Sequence, residues 1–133
     1  MGSIFSKIVS GEIPAFKVAE DDHHLAFLDI NPVAMGHVLV VPKKETDYIF
    51  DLETIDYQSL WKFAAQVAKG LKRAVPCIKV GVSVIGLEVP HAHIHLVPLN
   101  SMGDINFSKT KLNPGKEELE SLCEKIKRAI SLS

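Results

Sequence analysis

His91-Ala92-His93-Ile94-His95-Leu96-Val97-Pro98 is the stretch that decides how this chain folds. Three histidines alternate with apolar residues, and strict alternation over such a run is the pattern of a half-buried strand. Residues two apart on a strand share a face. The spacing therefore predicts a strand with His91, His93 and His95 on one side and Ala92, Ile94 and Leu96 on the other. Same-face neighbours would stand about 6.5–7 Å apart. A row of three imidazoles at that spacing can wrap a phosphate or grip a metal.

Working outward from this strand, the chain reads as short elements joined by turn signals. Ser3 can cap a short helix carrying Ile4, Phe5, Ile8 and Val9, with Gly11 past its end and Pro14 breaking it. Residues 16–20 and 24–29 read as two strands around the polar turn Asp21-Asp22-His23, close enough to form a hairpin. Asn31-Pro32 marks a loop, and residues 37–42 form a third, almost wholly apolar strand of the kind buried on both faces. A polar connection runs from Lys43 to Asp51.

From Thr54 to Val75 the period becomes helical. Leu60, Phe63, Val67 and Leu71 share one face, and Pro76 stops the helix. Gly70 inside it costs about 1 kcal/mol against Ala, which a long helix tolerates. Residues 78–84 alternate as a fourth strand, and the histidine strand is the fifth. Residues 99–112 read as an exposed loop. Asn113 and Pro114 are placed to cap and open a last helix with Leu119, Leu122, Ile126 and Ile130 as its stripe. The order predicts an α+β fold: a five-stranded antiparallel sheet with its helices, among them a long helix and a C-terminal helix, all on one side.

Composition narrows the class. The chain has 133 residues, 47% of them apolar and 23% charged, which suits one soluble domain spanning 1–133. A formal net charge of −1 argues against a general nucleic-acid or membrane-surface binder. Cys77 and Cys123 form no CxxC pair and read as small buried hydrophobes. Residues 4–9 are too short and too interrupted for a signal peptide, and no run reaches a membrane span. A cytoplasmic location follows as the expectation.

The residues allow three chemistries for the histidine row. One imidazole can attack phosphorus and hold it covalently. Protonated neighbours can neutralise developing phosphate charge. Or the row can coordinate zinc, although no carboxylate stands between the histidines to orient them. A fourth histidine, His37, begins the third strand and can join from the side.

The sequence resembles the histidine triad (HIT) family of nucleotide-binding proteins, in its branch of small purine-nucleoside phosphoramidases and dinucleotide hydrolases. Residues 91–97 match the family's His-φ-His-φ-His-φ-φ motif in full. Residues 4–14 resemble its opening, residues 27–32 its nucleoside-binding segment, and residues 36–44 its third-strand signature. The resemblance implies the HIT-like fold and a homodimer. It implies that His93 attacks the α-phosphorus of a purine nucleotide conjugate, and that the His91 carbonyl fixes its tautomer. It implies that His95 and His37 flank the phosphate, that Asp29 accepts from the ribose hydroxyls, and that Phe5, Ile8, Phe27 and Ile30 sandwich the base. No metal and no cofactor are expected, with a His-ligated metalloenzyme as the lesser alternative.

One segment departs from the family. Relatives place a Gln and a Ser or Thr just before the first histidine, where they bind phosphate and help the leaving group go. Here residues 85–90 read Ile-Gly-Leu-Glu-Val-Pro, and Glu88 stands about where the hydroxyl would be. Glu88 is a possible leaving-group acid. If it is not, the chain could be a nucleotide-binding regulatory module with little catalysis.

Overall fold

The structure is a computed structural model that describes residues 2–132. Helix α1 spans Ile4–Ser10, followed by strands β1 (Lys17–Glu20), β2 (His24–Leu28) and β3 (Val38–Pro42). Helix α2 (Thr54–Ala74) leads to β4 (Lys79–Ser83), β5 (Ile94–Leu99) and the C-terminal helix α3 (Lys116–Ser131). Short 3-10 turns occupy Ile49–Asp51 and Met102–Ile105. The five strands form one antiparallel sheet in the order β1-β2-β3-β5-β4. No helix among the described residues is long and apolar enough to cross a membrane.

Each face of the sheet has its own apolar cluster, because strand residues alternate sides. Ala26, Leu28, Val38, Val40, Ile94 and Leu96 pack with Leu60, Phe63, Val67 and Leu71 of α2 and Leu119 and Ile126 of α3. Burying each of the larger side chains stabilises by about 1.5–3 kcal/mol. Leu25, Phe27, Leu39 and Val41 face the other way and meet Phe5 and Ile8 of α1. The helices therefore do not all lie on one side, as the element order suggested. The apolar face of α1 covers the surface opposite α2 and α3.

Gly70 is where α2 and α3 touch. A Cβ there would fall 2.4 Å from Ile130 Cγ1 and 2.7 Å from Ile130 Cα. The glycine is a requirement of helix packing rather than a tolerated flaw. Gly36 has φ +92°, and a Cβ there would also meet Pro98 Cγ at 3.0 Å. It turns the chain into His37 and β3 at a point where a side chain has no room.

Two boundaries and one burial differ from the expectation in ways that matter. The paired strand β5 begins at Ile94, so His91 and His93 lie on its approach. Their backbone is held elsewhere: Ala92 N–H donates to Thr46 O at 2.7 Å, and His91 N–H to Val89 O at 2.8 Å. The alternation survives, since Ala92 still joins the core with Ile94 and Leu96. Helix α3 is capped by Gly115 rather than Asn113. Leu112 N–H donates to Pro32 O at 2.9 Å, which ties the chain to a distant loop just before it would have turned helical. Finally, Cys77 is half-buried, whereas Cys123 is buried and donates to Lys17 O.

Candidate active site

A cavity of about 440 Å³ opens on the α1 side of the sheet. Phe5 and Ile8 of α1, Phe27 of β2, and Asp29 and Ile30 just beyond β2 line one part of it. His93 and His95 line another, and the segment from Ile85 to Val89, with Glu88, forms a further wall. Eight of the ten residues singled out in the sequence thus share one cavity. The other two, His37 and His91, are buried behind it and bond to the histidines that face it.

The hydrogen bonds assign a tautomer to each imidazole in the row. His91 is fully buried. Its Nε2–H donates to Pro42 O at 2.8 Å, and its Nδ1 accepts from Ser3 Oγ at 2.8 Å. Ser3 is itself fixed: it caps α1 by accepting Ser6 N–H at 3.1 Å, and its own N–H donates to Glu45 Oε1 at 2.6 Å. His91 is therefore clamped at both ring nitrogens, and its carbonyl is held still. That carbonyl accepts from His93 Nδ1–H at 2.7 Å. With its proton on Nδ1, His93 keeps the lone pair of Nε2, which has no protein partner among the described residues. Phe5 packs edge-on against the His93 ring at 4.9 Å between centroids.

A second chain of bonds fixes His95. Val33 N–H donates to His37 Nδ1 at 3.3 Å, so the His37 proton sits on Nε2. His37 Nε2–H donates to His95 Nδ1 at 2.9 Å. His95 must then carry its proton on Nε2, and that N–H is the one left for the cavity. The two cavity imidazoles are complementary: His93 offers a lone pair and His95 offers a donor.

Burial decides the charge of the row. It pushes His37 down to about 3 and His95 down to about 4, with the neighbouring imidazoles adding to the effect. Burial also lowers His93, against the pull of its bond to the His91 carbonyl. These three are neutral at pH 7, so the flanking imidazoles are not the cations that the sequence allowed. Asp29 is raised by burial, which the Asn31 N–H partly offsets through its 2.9 Å bond to Oδ1. Its Oδ2 stands 3.8 Å from His37 Nδ1.

The polar stretch after β5 is not a simple exposed loop. It folds back over the histidines, and Phe107 and Lys111 line the cavity. Phe107 meets the rings of His95 at 4.7 Å and His37 at 5.8 Å, both edge-on. The one sequence signal was a lone aromatic among polar residues. Glu88 is exposed at the cavity mouth, and Ile30 is 57% exposed beside it. An apolar side chain left uncovered at a cavity mouth is suited to a ligand. Among the described residues, no group of three or more His, Cys, Asp or Glu is placed to hold a metal ion.

Comparison with known proteins agrees with this geometry. The family model "HIT domain" matches residues 10–102. An uncharacterized HIT-like protein of Borreliella burgdorferi is 34% identical over 131 residues, covering 92% of this chain and 94% of that one. The adenosine 5'-monophosphoramidase hnt1 of Schizosaccharomyces pombe is 30% identical over 132 residues, covering 98% and 99%. Among solved structures, a Hit-like protein from Bartonella henselae superposes with a TM-score of 0.83 at 32% identity, covering 96% of this chain and 95% of that one.

Proposed function

The chain belongs to the HIT domain family, and from that premise we propose that it is a nucleotide phosphoramidase or nucleotidyl hydrolase acting through a nucleotidyl-His93 intermediate. One observation carries the reading. The ring nitrogen of His93 that faces away from the His91 carbonyl is unprotonated, has no protein partner among the described residues, and belongs to a side chain lining a cavity that also holds Asp29.

In this reading His93 Nε2 attacks the α-phosphorus. An N–P bond forms, and the P–N or P–O bond to the leaving group breaks. The leaving group departs with that electron pair and takes up a proton. Water then attacks the phosphorus and the N–P bond breaks, which releases the nucleoside monophosphate and restores His93. His95 Nε2–H donates to a phosphate oxygen, which gains charge in the transition state. Asp29 accepts from the ribose hydroxyls, as an ionised carboxylate can with its several lone pairs. Phe5, Ile8, Phe27 and Ile30 give the base an apolar slot, and the phosphoramidase name of the fission-yeast relative favours a purine. Glu88, at the mouth, is the candidate acid for the leaving group.

The same reading takes residues 1–133 as one HIT domain working in the cytoplasm as a homodimer. The dimer is supported by β4, a sheet edge with Val82 exposed on it and Ile78 and Val84 exposed beside it. A monomer in sedimentation at micromolar concentration would contradict it.

A second reading, a nucleotide-binding regulatory module with little turnover, is favoured by the segment 85–89. It brings no hydroxyl or amide side chain to the cavity. Steady-state assay with an adenosine phosphoramidate separates the two. Release of AMP by the wild type and none by His93→Ala supports catalysis. AMP binding without turnover supports the regulatory module, and neither binding nor turnover removes both.

A further inference from the structure

The cavity has a charge problem. It is lined by two carboxylates, Asp29 and Glu88, and by two imidazoles, His93 and His95, that burial holds neutral at pH 7. A phosphate group entering it brings more negative charge. Placing like charges together in a partly dehydrated site is unfavourable unless a cation offsets them. In the ligand-free site the histidines do not supply that cation.

Lys111 is the only lysine or arginine among the described residues that lines this cavity. It makes no ion pair within 4.0 Å with any described carboxylate. The backbone around it is fixed from both sides. Leu112, the next residue, is bonded to Pro32 O, and Phe107, four residues earlier, packs on His95 and His37. The start of the arm is ordered too. Asp104 accepts the N–H groups of Asn100 and Ser101 at 2.7 and 2.9 Å, and Lys109 is occupied with Gly103 O at 3.1 Å. The charge of Lys111 is felt inside the site. It joins the Asn31 N–H in drawing Asp29 down against burial, and it adds to the effects of burial and the neighbouring imidazoles on His37.

We propose that Lys111 is the phosphate-binding cation of this site, carried over the histidines by the arm that follows β5 and meeting the oxygens of the reacting phosphate. The inference rests on the nucleotide reading of the cavity. It assigns charge neutralisation to one residue outside the histidine row. It also explains how a site lacking hydroxyl and amide donors upstream of His91 can still hold a phosphate. A lysine acts here as a point charge on a flexible stem, so an arginine can replace it in charge.

Calorimetric titration of the full chain with AMP and adenosine, and with GMP and guanosine, tests the proposal. The wild type should bind each monophosphate more tightly than its nucleoside. Lys111→Met should weaken monophosphate binding by about tenfold while leaving nucleoside binding unchanged, in line with the loss of one charge-assisted contact. Lys111→Arg should keep most of the preference. The proposal is overturned if Lys111→Met binds AMP and GMP as the wild type does, or loses nucleotide and nucleoside equally. It falls together with the nucleotide reading if the wild type binds none of the four. If the wild type and Lys111→Met behave as predicted but no turnover is found, Lys111 stands and the catalytic reading fails alone.

Discussion

His37 Nε2 lies 2.9 Å from His95 Nδ1, and this one bond determines which proton His95 presents to the cavity. His37 is held in turn by Val33 N–H on its other nitrogen. A residue buried behind the cavity thereby sets the donor that His95 presents to it.

His37→Ala should lower kcat by roughly tenfold, equal to about 1.4 kcal/mol, with a smaller change in KM. His95 becomes free to adopt either tautomer, and only one of them donates into the cavity. Steady-state kinetics with a phosphoramidate substrate check this. An unchanged kcat would show that the relay does not matter.

Ser3→Ala removes a helix cap and the nearest partner of His91 Nδ1 in a single change, and the other, Ser6 Oγ at 3.4 Å, donates its hydrogen bond to Glu45. The cap alone is worth about 1 kcal/mol, and a buried ring nitrogen left unsatisfied adds about 1–3 kcal/mol. Urea denaturation should show a loss of about 2–4 kcal/mol. Activity should fall as well, because the His91 carbonyl that orients His93 loses one of its clamps.

Gly70→Ala reverses the usual rule for helices. Propensity favours Ala by about 1 kcal/mol. The new methyl would lie within 2.4 Å of Ile130 and within 2.7 Å of its backbone, so α3 must move. Overpacking of this kind typically costs about 1–3 kcal/mol. The variant should be less stable than the wild type in thermal unfolding, whereas a packing-free site would have made it more stable.

Acid should destabilise the protein through the same buried imidazoles. His37 and His95 titrate at about 3 and about 4 in the folded state, against about 6.5 when unfolded. As pH falls below about 6.5, the unfolded chain takes up protons that the folded one refuses. Stability therefore drops through this window, by up to about 1.4 kcal/mol per pH unit for each histidine. The loss levels off once pH passes below the folded values. Asp29 acts in the opposite sense, since its folded carboxyl is raised and holds a proton longer, so it offsets part of the slope at the acid end. Melting temperatures should change little near pH 7.5 and fall from about pH 6.5 to 4.5, and His95→Gln should flatten the curve.

The fold was legible wherever a period was legible. Alternation at Leu25 to Leu28 and at Ala92 to Leu96 named the faces correctly, and the helical stripe from Leu60 to Leu71 named the long helix. What local pattern could not carry was tertiary placement. Nothing in residues 4–9 says which side of the sheet α1 covers. Nothing near Gly70 announces Ile130, which lies sixty residues on. The site divides along the same line. The histidine row stands out by its spacing and His37 as a fourth histidine able to join it from the side, whereas Asp29 gained meaning only through resemblance to a family. Phe107 and Lys111 stayed invisible because the stretch that carries them is polar and aperiodic. Its position comes from Leu112 bonding to Pro32 and from one ring packing on two imidazoles. Charge was misjudged for a related reason. Exposed histidines could have been cations, and only their burial makes them neutral.

The central claim is a covalent nucleotide on His93. Its most direct test is intact mass spectrometry of the protein quenched during turnover of an adenosine phosphoramidate, under conditions that spare a phosphorus–nitrogen bond. The account predicts a species heavier by one adenylyl group, mapped by peptide fragmentation to His93 and absent from His93→Ala. Turnover that proceeds without any adduct, an adduct on another residue, or a His93→Ala variant as active as the wild type would contradict it.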